Sequence, residues 1–110
     1  MLLFWLLLAV PSAPPKITSA YNTSSTSISV HWTPIPNGIL LGYRIRYVPF
    51  LPGFLPVVKT TNASSTSYEQ GGLKKFTFYF ILISGYTNGG SGAGGGVLCR
   101  TAEDGKDYNN

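Results

Sequence analysis

At 110 residues the chain has room for one domain. Apolar residues make up 44% and charged residues 11%, which excludes a disordered chain, and the wealth of Gly, Pro, Ser and Thr excludes a helical bundle. The net charge of +4 comes from scattered basic side chains with no run longer than two, so no nucleic-acid interface is expected.

The chain opens with the uncharged stretch Leu2 to Val10. As a helix it would reach about 14 Å, half of a bilayer's hydrocarbon core, so it predicts no membrane span. It suits the apolar region of a signal peptide, with residues 1–12 as leader, 13–104 as domain and 105–110 as a short polar tail. Lys16 to Tyr21 then predicts an edge strand and Asn22 to Ser25 a turn. From Ser27 to Trp32 the alternation is strict, with Ile28, Val30 and Trp32 on one face and Ser27, Ser29 and His31 on the other. Pro34, Pro36, Asn37 and Gly38 end that strand.

Gly42 to Val48 alternates again, with Tyr43, Ile45 and Tyr47 opposite Arg44 and Arg46. Pro49 to Pro56 predicts a stiff apolar loop carrying Phe50, Leu51, Phe54 and Leu55. Val57 to Thr61 and Thr66 to Gln70 predict two short strands around a polar turn at Asn62 to Ser65. Phe76 to Gly85, the most apolar stretch of the body, predicts a long strand. Asn88 to Gly96 is a glycine-rich loop, and Val97 to Thr101 closes the fold. About seven short strands, no helix and regular turn signals predict an all-β antiparallel sandwich.

Little in the chain suggests chemistry. His31 is the only histidine and has no Asp close by in sequence. Cys99 is the only cysteine, which rules out an internal disulfide and predicts a free, partly buried thiol. Gly90 to Gly95 has the spacing of a phosphate-binding glycine loop, but a strand-like stretch follows instead of the helix such a loop needs. No catalytic, cofactor-binding or metal-binding residues are therefore expected. Two sequons, at Asn22 and Asn62, are candidate glycosylation sites and favour export.

Several motifs together resemble the fibronectin type III family, and the likeness runs from about residue 11 to residue 104. Pro11-Ser-Ala-Pro-Pro15 is similar to its lead-in segment, and Ile28-x-Val30-x-Trp32 to its second strand with the core tryptophan. Pro36-Asn-Gly38 with Gly42-Tyr-Arg-Ile-Arg-Tyr47 resembles the third strand and the turn before it. Leu73 with Phe76-Thr77-x-Tyr79-x-Ile81-x-Ile83 resembles the tyrosine corner and sixth strand. Gly90-Ser-Gly92 and Thr101-Ala-Glu-Asp104 resemble the last loop and the exit segment.

The resemblance implies a seven-stranded immunoglobulin-like sandwich with Trp32, Tyr43, Tyr47, Leu73, Tyr79 and Ile81 in its core. It also implies that the Tyr79 hydroxyl turns back to a nearby backbone group. Three features depart from the family pattern: Gln70 stands where an aliphatic residue is usual, Lys75 where proline is usual, and Phe78, Phe80 and Leu82 lie on an outer face. With Phe50 and Phe54, and with Arg44 and Arg46 at the border, those outward side chains form a candidate partner face. No Arg-Gly-Asp lies in the last loop and no Trp-Ser-x-Trp-Ser is present.

Both ends resemble the linkers between tandem modules of cell-adhesion molecules and receptor-type tyrosine phosphatases. The expectation is an extracellular protein-binding or spacer module of a cell-surface protein, without cofactor or catalysis, contacting another protein or its neighbouring modules. The alternative is an ectodomain module of a receptor tyrosine phosphatase whose catalytic part lies outside this chain.

Overall fold

The computed structural model describes residues 14–35 and 40–103. The expected leader, the Pro36-Asn-Gly38 turn and the polar tail lie outside the described residues. Eight strands run in chain order: β1 (Lys16–Ser24), β2 (Ser27–Thr33), β3 (Gly42–Pro49), β4 (Val57–Asn62), β5 (Ser67–Gln70), β6 (Phe78–Thr87), β7 (Gly90–Ser91) and β8 (Gly95–Arg100). They form a three-stranded sheet, β1-β2-β5, and a five-stranded sheet in which β6 pairs with β3, β7 and β8 and β3 pairs with β4. All pairings are antiparallel.

The fold is the expected all-β sandwich, with one strand more than the spacing predicts. The addition is β7, where the glycine-rich loop pairs briefly with the end of β6. Several boundaries also move. β1 continues through Asn22, because Asn22 pairs with Ile28 and Ser24 with Ser27, leaving only Ser25 and Thr26 to turn. β6 begins at Phe78, because Phe76 takes the left-handed conformation, φ 49°, that no strand tolerates. β8 starts at Gly95, where an added side chain would meet the Pro15 carbonyl oxygen.

Alternation builds the core. Ile28, Val30 and Trp32 from β2 face Tyr43, Ile45 and Tyr47 from β3 and Tyr79, Ile81 and Ile83 from β6, all buried. Trp32 meets Tyr43 edge-on, with ring centroids 5.3 Å apart. Leu73 and Leu40 complete the cluster.

Between β5 and β6 the chain crosses from one sheet to the other, and side chains satisfy its backbone there. The Lys74 N–H donates to the Tyr79 hydroxyl at 2.8 Å, five residues upstream of the ring. Thr101, fully buried, accepts the Thr77 N–H at 2.8 Å and donates to the Lys74 carbonyl at 2.7 Å. The Phe76 N–H donates to the Ala102 carbonyl at 3.0 Å. Gln70 is only half-buried: it accepts from the Tyr68 hydroxyl at 3.2 Å and donates to the Gly71 carbonyl at 2.8 Å. The amide therefore has partners in this position and does not carry the cost of an orphaned polar group.

The Tyr47 hydroxyl is buried with no hydrogen-bond partner among the described residues. Tyr47→Phe should therefore raise stability by about 1 kcal/mol, because it removes an unsatisfied group and keeps the ring. Urea denaturation of the two proteins measures this. Burial also pushes the Tyr47 hydroxyl well above the ordinary tyrosine value, with smaller contributions from Tyr68, Cys99 and Glu69. The folded state thus holds this proton more tightly than the unfolded chain. That stability is complete below about pH 10 and falls as pH rises beyond it. Tyr47→Phe should move the alkaline unfolding midpoint upward.

Candidate interaction face

The outward side chains of the five-stranded sheet fall into rows across the strands. The antiparallel register of β3 with β6 continues past the strand ends, since the Phe50 N–H donates to the Phe78 carbonyl at 3.0 Å. Phe50, Phe78 and Arg100 therefore form one row, and Val48, Phe80 and Leu98 the next. Val58, Arg46, Leu82 and Gly96 follow, then Thr60, Arg44 and Ser84. Phe50 (59%), Val58 (50%), Phe78 (43%), Phe80 (37%) and Leu98 (49%) all remain open to solvent.

Local contacts hold these side chains in place. A β-carbon at Gly96 would sit 2.7 Å from Phe80 Cζ and 3.1 Å from Leu82 Cδ2, so the bare backbone of β8 forms the bed for both. The Arg100 guanidinium lies over Phe76 at 4.2 Å and Phe78 at 5.1 Å, and Arg44 over Tyr86 at 5.1 Å. Arg44 also donates to the Ser91 hydroxyl.

Of the seven side chains singled out as a partner face, Phe50, Phe78, Phe80, Leu82, Arg44 and Arg46 share this surface. Phe54 lies in the loop after β3, with the Lys74 ammonium over its ring at 4.2 Å. Val58, Leu98 and Arg100 belong to the face and were not singled out. Their own alternation carries half the signal, and the other half is the strand register, which no local pattern contains.

The opposite sheet offers a different surface. Tyr21 and His31 stack with centroids 5.8 Å apart, and their polar atoms meet at 3.3 Å. Glu69 accepts from Thr23 at 3.0 Å on the same sheet. Cys99 packs against the core as a free thiol, and burial pushes its pKa up, which disfavours the reactive thiolate. Among the described residues no three of His, Cys, Asp and Glu gather as a metal site. Nor is any helix among them long and apolar enough to cross a membrane.

The two sequon asparagines are exposed but differently engaged. Asn22 donates its amide to the Arg100 carbonyl at 3.0 Å. Asn62 instead accepts at Oδ1 from the Ser64 N–H at 3.0 Å and from the hydroxyls of Ser64 at 2.8 Å and Ser65 at 3.1 Å.

Comparison with known proteins adds to this geometry. The Fibronectin type III domain family matches residues 12–96. The chain is 37% identical over 101 residues to the cell adhesion molecule DSCAM of Rattus norvegicus, covering 86% of this chain and 5% of that protein. It is 34% identical over 103 residues to the receptor-type tyrosine-protein phosphatase F of Mus musculus, covering 87% and 5%. The chain thus spans only about a twentieth of either relative's length. Among solved structures, the FN5 domain of Drosophila Lar superposes with a TM-score of 0.70 at 28% identity, covering 84% of this chain and 98% of that one.

Proposed function

The chain belongs to the fibronectin type III family, and from that premise we propose that it is an extracellular protein-binding or spacer module of a cell-surface adhesion or receptor protein. In this reading residues 13–104 form the module, it carries out no catalysis, and Asn22 and Asn62 accept glycans. The observation that carries the binding role is the outer face of the five-stranded sheet. A sheet face turned to water is normally polar, whereas this one presents Phe50, Val58, Phe78, Phe80 and Leu98 in adjoining rows. Contiguous exposed apolar surface marks contact with another protein or a neighbouring module.

The double substitution Phe80→Ser and Leu82→Ser tests the reading. The purified domain is applied to intact cells and to the same cells stripped by protease. The wild-type domain should bind the untreated cells, and the double variant should lose at least most of that binding while keeping its β-sheet circular dichroism. Tyr21→Ser, on the other sheet, should bind like wild type. Equal binding by all three proteins would refute the proposed face.

A second reading, an ectodomain module of a receptor tyrosine phosphatase, draws on the match to receptor-type tyrosine-protein phosphatase F. The flanking coding sequence separates the two, since only the second requires a phosphatase domain beyond a membrane span.

A further inference from the structure

At one end of the interaction face lies a half-open cleft of about 270 Å³, lined by Arg44, Arg46, Leu82, Ser84, Ser91 and Gly94. We propose that this cleft takes a carboxylate from an acidic segment of the protein partner, while apolar side chains flanking that carboxylate lie along Phe80 and Leu98. The proposal rests on the binding reading above and names the partner's chemistry.

Three observations support it. Arg44, Arg46, Ser84 and Ser91 line the cleft, a set of donors of the kind that the two oxygens of a carboxylate accept. Arg44 is held in advance, over the Tyr86 ring and against the Ser91 hydroxyl, so ordering it costs little on binding. No carboxylate of the described chain neutralises the pair. Glu69 belongs to the opposite sheet, and Glu103 lies beyond the far end of β8, about 20 Å away along the strands.

The surroundings favour a protein over a sulfated glycan. A glycan chain would seek a line of cations, but past Leu82 the face turns to Phe80, Leu98 and Val48, and the next guanidinium in the rows is Arg100. An acidic peptide with apolar neighbours uses both halves of that surface.

The test is a nitrogen-15 NMR titration of the folded domain with acetyl-Leu-Asp-Leu-Glu-Phe-amide. Its Asn/Gln counterpart and a heparin-derived hexasaccharide are titrated in parallel. The acidic peptide should give saturable shifts at Gly92, Gly94 and the side-chain N–H groups of Arg44 and Arg46. The Asn/Gln peptide should bind about tenfold more weakly, and Arg46→Gln alone should weaken the acidic peptide by a similar factor. Raising salt should weaken binding further.

No saturation up to about 10 mM, equal binding of the two peptides, or unchanged affinity in Arg46→Gln would overturn the proposal. So would tighter binding of the hexasaccharide at these same residues. Because Arg46 is exposed and makes no core contact, its variant remains folded and informative. Loss of cell binding by Phe80→Ser with Leu82→Ser, but not by Arg46→Gln, would refute the cleft and leave the face standing.

Discussion

Trp32→Ala should remove a large share of the domain's stability and shift its urea midpoint sharply downward. The indole is 3% exposed and lies between the two sheets, in an edge-to-face contact with the Tyr43 ring. Its truncation opens a cavity that β2 and β3 cannot close, since both strands are fixed by ladders on either side. Losses of this kind run to about 3–5 kcal/mol. A domain of this size has about 5–15 kcal/mol in total, and no disulfide supports this one. Urea denaturation followed by circular dichroism measures the effect. A midpoint within error of wild type would mean that the ring is not enclosed.

The second large effect is expected at Thr101. Thr101→Val keeps the shape of the side chain and removes its hydroxyl. The Thr77 N–H then loses its acceptor and the Lys74 carbonyl loses its donor, both next to the corner that Tyr79 pins. Orphaning a buried backbone group costs about 1–3 kcal/mol, and the Lys74 carbonyl is only part-buried, so the variant should lose at least about 2 kcal/mol. Thr101→Ser restores the hydroxyl and should recover most of that loss. The denaturant midpoint should fall in the valine variant with its slope unchanged. A valine variant as stable as the serine variant would show that the hydroxyl carries no structural weight.

These two residues illustrate what a sequence makes legible. Trp32 stands in a six-residue alternation, so its burial follows from the pleat of one strand and needs no knowledge of the rest. The same holds for Tyr43, Ile45 and Tyr47. Thr101 carries no such signal. It looks like any polar residue leaving a last strand, and its partners at Lys74 and Thr77 lie 27 and 24 residues away. Phe76 is hidden for a related reason: its neighbours continue an apolar run, while the corner forces its backbone into a left-handed turn. Gly95 and Gly96 read as loop because glycine is a poor strand former. They are strand because Pro15 on one side and Phe80 on the other leave no space for a side chain.

The interaction face divides along the same line. That Phe78, Phe80 and Leu82 point outward follows from the inward pattern of Tyr79, Ile81 and Ile83. That Leu98, Val48 and Val58 extend the patch is a matter of register between strands distant in the chain. In the loop that follows, Phe50 continues the β3 ladder, and Phe54 takes the Lys74 ammonium over its ring.

Hydroxyl-radical footprinting of the domain bound at a cell surface tests most directly whether the exposed side of the five-stranded sheet meets a partner. Protection should concentrate on Phe50, Phe78, Phe80 and Leu98, while Tyr21 on the other sheet stays as reactive as in the free domain. Protection of Tyr21 with those four side chains unchanged would contradict the assignment.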